Sequence, residues 1–332
     1  MIFYQKQWQF LIKSVRLDKA SHAYLFSGPS GLGKKEMALE FARFLNCQNK
    51  SIKDISCGVC PSCLETAKNC HPDFLMVENI PEEEDGKEEK QIDLIKKISQ
   101  WLELKPLLGR YKVVVVSQLQ DFSLSAQSAF LKTLEEPRGN TVLIATSDYP
   151  ELLLSTIISR VKEIKFAPLS AKQLTETMVA DGTDLFLAER ISYFSFGKKK
   201  NIALLEGEAA IAAKEKQMYN FISHLKSDPP LVYWFKLVKQ ICSKENDAVP
   251  DVIPVIEPWF NFLRFILLRR IGVIKATGFL SQLTEKAISE TNSLPIRKIK
   301  NLLFALERVN YLILRTNANP RLALENAFLE LL

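Results

Sequence analysis

The sequence has no long uninterrupted hydrophobic run, and it has little net charge. Its most apolar stretch, residues 259–274, is broken by Arg264, Arg269 and Arg270, which are too many charges for a membrane span. The N-terminal residues lead into mixed polar sequence without a signal-peptide pattern, so a cytoplasmic location with no membrane attachment is expected. The net charge of +6 over 332 residues is compatible with a nucleic-acid neighbour but too diffuse to identify one.

Cysteine is also scarce, and its placement is uneven. Four of the six cysteines form one C-x9-C-x2-C-x2-C arrangement within residues 47–63: Cys47, Cys57, Cys60 and Cys63. Thiolates at this spacing can converge on one tetrahedral ion, so we predict a structural Zn²⁺ bound by these four residues. An iron–sulfur centre is the main alternative, although the next cysteine, Cys70, precedes a histidine where the ferredoxin pattern has proline. Reduced thiols without a metal are the third interpretation.

A glycine-rich stretch lacks one residue of a phosphate-binding loop. Residues 28–35 read Gly-Pro-Ser-Gly-Leu-Gly-Lys-Lys, and the pattern requires Ser or Thr at the last position, because that hydroxyl ligates magnesium. An apolar strand-like segment precedes the loop and a helical pattern follows it, the geometry that presents backbone N–H groups to an anion. The candidate residues for binding ATP or ADP without hydrolysis are Gly28, Gly31, Gly33, Lys34 and Lys35.

The acidic residues of a hydrolysing site are missing as well. A P-loop ATPase carries an acid at the end of a neighbouring strand to hold magnesium. The best candidate strand, residues 113–116, is followed by Ser117 and Gln118, and Asp121 lies too far around the following turn to replace an acid there. Two independent losses in one site therefore argue against autonomous hydrolysis.

The chain is too long for a single hydrophobic core, so two or three domains are expected. Four apolar runs alternate with helical patterns, at residues 23–26, 74–77, 113–116 and 142–145. This alternation indicates an α/β domain with a parallel sheet covered on both faces. Because the strand signal ends near residue 166, we predict an α/β domain followed by a small and then a larger helical domain, over residues 1–166, 167–206 and 207–332.

One arginine near the end of the α/β domain has a candidate catalytic role. Ser159 and Arg160 follow a largely apolar segment. An arginine at such a position can reach across a subunit interface and neutralise charge on a neighbour's ATP. From spacing alone, however, a solvated arginine at a helix end is the favoured interpretation.

Several ordered motifs resemble bacterial clamp-loader subunits of DNA polymerase III. Besides the four cysteines, they lie at residues 21–28, 71–74, 111–113, 131–137 and 158–160, and residues 319–325 are similar to the end of delta-prime subunits. The resemblance implies AAA+ architecture: a P-loop-type α/β domain with a zinc module, a small helical lid, and an all-helical collar that oligomerises.

The resemblance also implies which chemical parts the chain keeps. Tau/gamma subunits are the motors of that family and carry Asp-Glu where this chain has Ser117 and Gln118. Delta-prime subunits commonly lack a working ATPase site but keep a Ser-Arg-Cys motif as an arginine finger in trans. Here Val161 replaces the cysteine and Arg160 is retained. The resemblance further places Thr146 at a sensor position and residues 197–200 near a second sensor.

The function that this resemblance implies is that of a delta-prime-like, non-hydrolysing clamp-loader subunit. Its partners would be the tau/gamma and delta subunits of a pentamer, and through them the sliding clamp and primer-template DNA. An active tau/gamma-type ATPase is the alternative, and the missing acid pair argues against it. A zinc-containing DNA-binding adaptor outside replication is a third possibility, which the mild charge disfavours.

Overall fold

A computed structural model describes ten stretches of the chain: residues 3–49, 55–78, 87–135, 139–195, 197–205, 208–227, 231–242, 252–273, 282–316 and 318–329. The chain divides into two compact units. The first comprises Met1–Leu169 with Gly197–Lys200, and the second comprises Ser170–Phe196 with Asn201–Leu332. The predicted boundary between residues 206 and 207 lies outside the described residues.

The first unit is built on a five-stranded sheet in which every pairing is parallel, which confirms the predicted α/β sheet. The strand order is β2-β3-β4-β1-β5. Both β1 and β3 are buried at every position, which explains their continuous apolar sequences. The strands are β1 (Ala23–Ser27), β2 (Phe74–Val77), β3 (Lys112–Val116), β4 (Thr141–Ser147) and β5 (Lys162–Lys165).

The edge strand β5 was not predicted, because its sequence Lys-Glu-Ile-Lys carries almost no apolar signal. Only Ile164 of β5 is buried. Its backbone nevertheless pairs with β1 in parallel, Phe26 lying opposite Ile164. Tertiary pairing therefore decides the conformation of this segment against its weak local preference.

Helices cover both faces of the sheet. One face packs against α1 and α2 through an aromatic cluster that includes Trp8, Tyr24 and Phe41. The other face packs against α4 and α5, with Ile95 and Phe130 fully buried. The helices of this unit are α1 (Gln5–Arg16), α2 (Lys34–Asn46), α3 (Pro61–Ala67), α4 (Lys87–Leu102), α5 (Leu124–Glu135) and α6 (Ser155–Ile158), with short 3-10 helices at Leu119–Asp121 and Pro150–Leu152.

The sheet topology brings three candidate segments to one edge. Strands β3, β4 and β1 are neighbours, with Val116 opposite Ala145 and Ser27 opposite Ser147. Because these strands are parallel, the residues that follow each of them meet at the carboxyl edge of the sheet, where ligands of open α/β sheets bind. The glycine loop, Gln118 and the residues after β4 therefore share one site.

In the described ranges beyond residue 170 the regular structure is helical, as the sequence pattern indicates. The helices are α7 (Ala171–Ala180), α8 (Leu185–Ser195), α9 (Lys199–Leu204), α10 (Glu208–Ser227), α11 (Leu231–Cys242), α12 (Ile253–Arg270), α13 (Gln282–Thr291), α14 (Ile296–Arg315) and α15 (Pro320–Leu329). None of the helices in the described ranges is both long and apolar enough to cross a bilayer.

Candidate functional site

The glycine loop joins β1 to α2, and its backbone explains two of its glycines. Gly28 has φ 137°, and a side-chain carbon there would lie 2.1 Å from the carbonyl oxygen of Phe166. Gly33 has φ 88° and directly precedes α2, which begins at Lys34. Both positions therefore require glycine, the first for a close backbone approach and the second for a left-handed conformation. The loop has the predicted order of strand, turn and helix.

Lys34 is buried and is fully engaged by the protein itself. Its Nζ forms an ion pair with Asp148 Oδ1 at 2.7 Å and donates to the carbonyl oxygens of Pro29, at 2.7 Å, and Gly28. Three acceptors match the three hydrogens of the ammonium group. Burial lowers the pKa of Lys34, and the hydrogen bond and charge of Asp148 oppose that shift. A phosphate group would have to displace these contacts to bind Lys34.

Asp148 links the loop lysine to Gln118, which lies just beyond β3. Its Oδ2 accepts from Nε2 of Gln118 at 3.0 Å, while its backbone N–H donates to Oε1 of Gln120 at 3.2 Å. Gln118 in turn donates its backbone N–H to Oγ1 of Thr146 at 3.0 Å. Gln118 thus stands where an ATPase would carry an acid, and its neutral amide donates a hydrogen bond to Asp148. A carboxylate at this position could not donate that bond. Sequence reasoning missed Asp148, although an acid two residues beyond Thr146 at a strand end was the available signal.

The residue at the missing hydroxyl position faces an acid. Lys35 Nζ forms an ion pair with Oε1 of Glu78, which follows β2, and both side chains are about half exposed. Asp121 ends the 3-10 helix Leu119–Asp121 and is exposed. Lys35 therefore supplies a cation where magnesium would need an oxygen ligand.

The structure brings part of residues 197–200 against the glycine loop. A side-chain carbon on Gly33 would lie 2.8 Å from Cδ of Lys199. The charge of Lys198 also lowers the pKa of Lys34, after the larger effect of burial. Residues 198 and 199 therefore add positive charge beside the loop.

The four cysteines predicted to bind metal come together. Their sulfur atoms all lie within 4.8 Å of one another, and Cys57 Sγ is 3.9 Å from Cys63 Sγ. Four thiolates held about 2.3 Å from one tetrahedral zinc ion are separated by about 3.8 Å, so the cluster fits the ion. Residues 50–54, inside the predicted module, lie outside the described residues.

Backbone groups around the cluster support a thiolate centre. The N–H of Cys57 donates to Sγ of Cys47 at 3.4 Å, and the N–H of Cys60 donates to Sγ of Cys57 at 3.3 Å. Burial opposes ionisation of Cys60, but N–H groups of Gln48 and Cys63 outweigh it and lower its pKa to about 6. Burial raises the pKa of Cys63 to about 12. A bound cation would resolve this conflict by stabilising all four thiolates.

Arg160 follows the four-residue helix α6 and is held on the surface by three contacts. Its Nη2 forms an ion pair with Oε1 of Glu135 at 2.7 Å, the last residue of α5. Its Nη1 donates to the carbonyl of Thr156 at 2.9 Å and to Oγ of Ser159 at 3.2 Å. Arg160 is therefore partly exposed, with its guanidinium group in a defined position.

The fold and the site together define a class of protein. Its parallel α/β domain carries a glycine loop and is followed by helices. The lysine of that loop is ion-paired with Asp148, and no acid pair follows β3. The chain belongs to the DNA polymerase III, delta subunit family. The sequence model of that family matches residues 4–170, half of the chain. This match confirms the resemblance to DNA polymerase III subunits.

Individual relatives agree with this assignment. DNA polymerase III subunit delta' of Pseudomonas aeruginosa is 37% identical over 140 residues, 42% of this chain and 41% of the relative. The subunit delta' of Bacillus subtilis is 26% identical over 220 residues, 66% of this chain and 64% of the relative. DNA polymerase III subunit tau of B. subtilis is 31% identical over 173 residues, 52% of this chain and 29% of the relative. The chain thus matches less than two thirds of each relative's length.

Proposed function

We propose that this chain is a delta-prime-like, non-hydrolysing subunit of the bacterial replicative clamp loader. The observation that carries the proposal is the neutralised site at the carboxyl edge of the sheet. Lys34 is paired with Asp148, an amide occupies the acidic position at Gln118, and Lys35 occupies the hydroxyl position. Without a magnesium ligand at either place, water and metal cannot be arranged for hydrolysis.

Nucleotide is a structural ligand in this proposal. ATP or ADP would bind through the backbone of the glycine loop, with Lys34 exchanging Asp148 for a phosphate. Lys198 and Lys199 lie beside the loop and add positive charge. Hydrolysis would not follow, because the exchange supplies no acid to replace Gln118.

The catalytic contribution of the chain is Arg160, presented in trans to ATP on an adjacent tau/gamma subunit. Ser159 supports it by accepting from Nη1. Within the described residues, Nε–H of Arg160 has no acceptor, and Nη2 makes only the ion pair with Glu135. They are the donors with which a guanidinium group can bind phosphate oxygens.

The remaining parts serve assembly. Residues 167–206 would form a lid and residues 207–332 a collar that joins tau/gamma and delta subunits in the cytoplasm. Cys47, Cys57, Cys60 and Cys63 would hold a structural Zn²⁺. The chain itself would contact the sliding clamp and primer-template DNA only as a member of the complex.

The test is ATP turnover by the complex reconstituted with tau/gamma and delta subunits of the same cell, stimulated by clamp and primed DNA. Arg160→Ala is expected to leave assembly intact and to lower stimulated turnover at least about tenfold, since arginine fingers contribute about 10³–10⁵ at a single site. Arg110→Ala is the matched control, because Arg110 is a half-exposed arginine paired with Asp18 at 2.7 Å. Unchanged turnover for Arg160→Ala would refute the finger assignment.

An active motor subunit is the alternative, and the match to a tau subunit is the observation that favours it. Phosphate release by the purified chain with Mg-ATP distinguishes the two functions. Our proposal expects no turnover above that of a Lys34→Ala variant. Robust magnesium-dependent turnover that this substitution abolishes would establish the alternative.

A further inference from the structure

The ion pair between Glu135 and Arg160 joins two motifs that are 25 residues apart in sequence. Glu135 ends α5, and Arg160 follows α6. Nη2 of Arg160 lies 2.7 Å from Oε1 of Glu135, and the two side chains are 36% and 49% exposed. Pairs as exposed as this contribute little to folding, so stabilisation of the fold is a weak reason for the contact.

The platform that carries Glu135 is rigid. Just before it in α5, Phe130 is fully buried and Leu134 is nearly so. On the other side, Oγ of Ser159 donates to the carbonyl of Thr156 at 3.0 Å while accepting from Arg160. Both Nη atoms of the guanidinium group are therefore contacted, Nη2 by Glu135 at the end of α5 and Nη1 by Thr156 and Ser159.

The donors that remain are suited to an incoming anion. A guanidinium group has five N–H donors. Nη1 donates to Thr156 and Ser159, and Nη2 forms an ion pair with Glu135 at 2.7 Å. In the described ranges Nε–H donates to no acceptor and Nη2 makes only this ion pair, so the part of Arg160 able to bind phosphate stays available.

We propose that Glu135 is a positioning residue for Arg160. Its carboxylate attracts Nη2 so that the arginine presents its donors in one orientation, before a neighbouring ATP is met. The inference rests on the proposed function of Arg160 as a finger in trans. Ordering a long, rotamer-rich side chain in advance lowers the entropy that the transition state must otherwise supply.

The test uses the reconstituted complex with clamp and primed DNA. Glu135→Ala should lower the stimulated kcat about tenfold, less than the 10²-fold that a 1 Å misplacement can cause, with the KM for ATP changed less than twofold. Glu135→Gln should lower the rate by a similar factor, because the amide keeps the size of the side chain but loses the charge that attracts Nη2. Asp93→Ala, which removes an exposed acid paired with Lys96 at 3.3 Å, is the control and should have no effect.

A double-mutant cycle separates positioning from a structural role. If Glu135 acts only through Arg160, adding Glu135→Ala to Arg160→Ala should change turnover less than twofold. An equal further loss in that background would refute positioning, as would unchanged or increased turnover for Glu135→Ala alone. A loss with Arg160→Ala but none with Glu135→Ala refutes this inference and leaves the proposed function standing. Unchanged turnover with Arg160→Ala refutes both.

Discussion

Replacing Asp148 by asparagine tests whether the carboxyl-edge site is held together by charge. Lys34 and Asp148 are 5% and 9% exposed, and their charged atoms are 2.7 Å apart. At an effective dielectric constant of about 20, that separation corresponds to an attraction of about 6 kcal/mol. Removing one member of a buried pair costs about 3–5 kcal/mol, because the other charge is left without its partner.

The expected cost of Asp148→Asn is somewhat below this range, about 2–3 kcal/mol. Lys34 keeps the carbonyl acceptors of Gly28 and Pro29, and the new amide oxygen can accept as well. Replacing Lys34 by methionine in the same variant should recover much of the loss, because neither charge is then buried.

Amide hydrogen exchange measures this loss in the first unit alone, which matters because the chain has two units and need not unfold in one step. A change of 2–3 kcal/mol corresponds to about 30- to 150-fold faster exchange for the buried amides of β1 and β4. Asp93→Asn is the control, since its pair with Lys96 is 65% exposed on both sides and contributes about 0.2–1 kcal/mol. Exchange within threefold of the wild type for Asp148→Asn would refute the reasoning.

Two further predictions concern the cysteine cluster and Asp73. Purified protein should contain one zinc per chain by elemental analysis, and Cys60→Ser should lower that content by more than half. Cys70 is an exposed cysteine outside the cluster, so Cys70→Ser should not lower the zinc content. Equal zinc content in all three proteins would contradict the assignment. Burial opposes ionisation of Asp73, but its carboxylate accepts the N–H groups of residues 107–109 and lies near Lys112, which together lower its pKa. Because the folded-state pKa is below the unfolded value of 3.8, the stabilisation by Asp73 is complete above pH 3.8 and is lost as pH falls through the folded-state pKa. Asp73→Asn should therefore cost about 1–3 kcal/mol in urea unfolding at pH 6, and a difference from the wild type that did not shrink below pH 3.8 would exclude this origin.

The strands with continuous apolar sequence were predictable, and so was the clustering of the four cysteines. Both signals are local: a strand buried on two faces is apolar at every position, and closely spaced cysteines can reach one ion without help from distant residues. The edge strand β5 was not predictable, because a single buried residue, Ile164, carries its tertiary contact.

The role of Asp148 needed the sheet order. Lys34, Gln118 and Asp148 follow three different strands, and only the parallel order β3-β4-β1 brings them together. Likewise, the spacing of Arg160 in the sequence favoured a solvated side chain. In the structure Arg160 pairs with Glu135, which lies 25 positions earlier and is brought near it only by the fold.

The sequence by itself determined that the glycine loop of residues 28–35 lacks the hydroxyl of an ATPase and that residues 117–118 lack its acid pair, because these are matters of residue identity. Only the tertiary structure decided how the site replaces them. Lys34 is neutralised by Asp148, and Gln118 donates to that same carboxylate. The physical reason is that charge compensation depends on distance in space, and a buried ammonium group takes its counter-ion from whichever strand the fold places beside it.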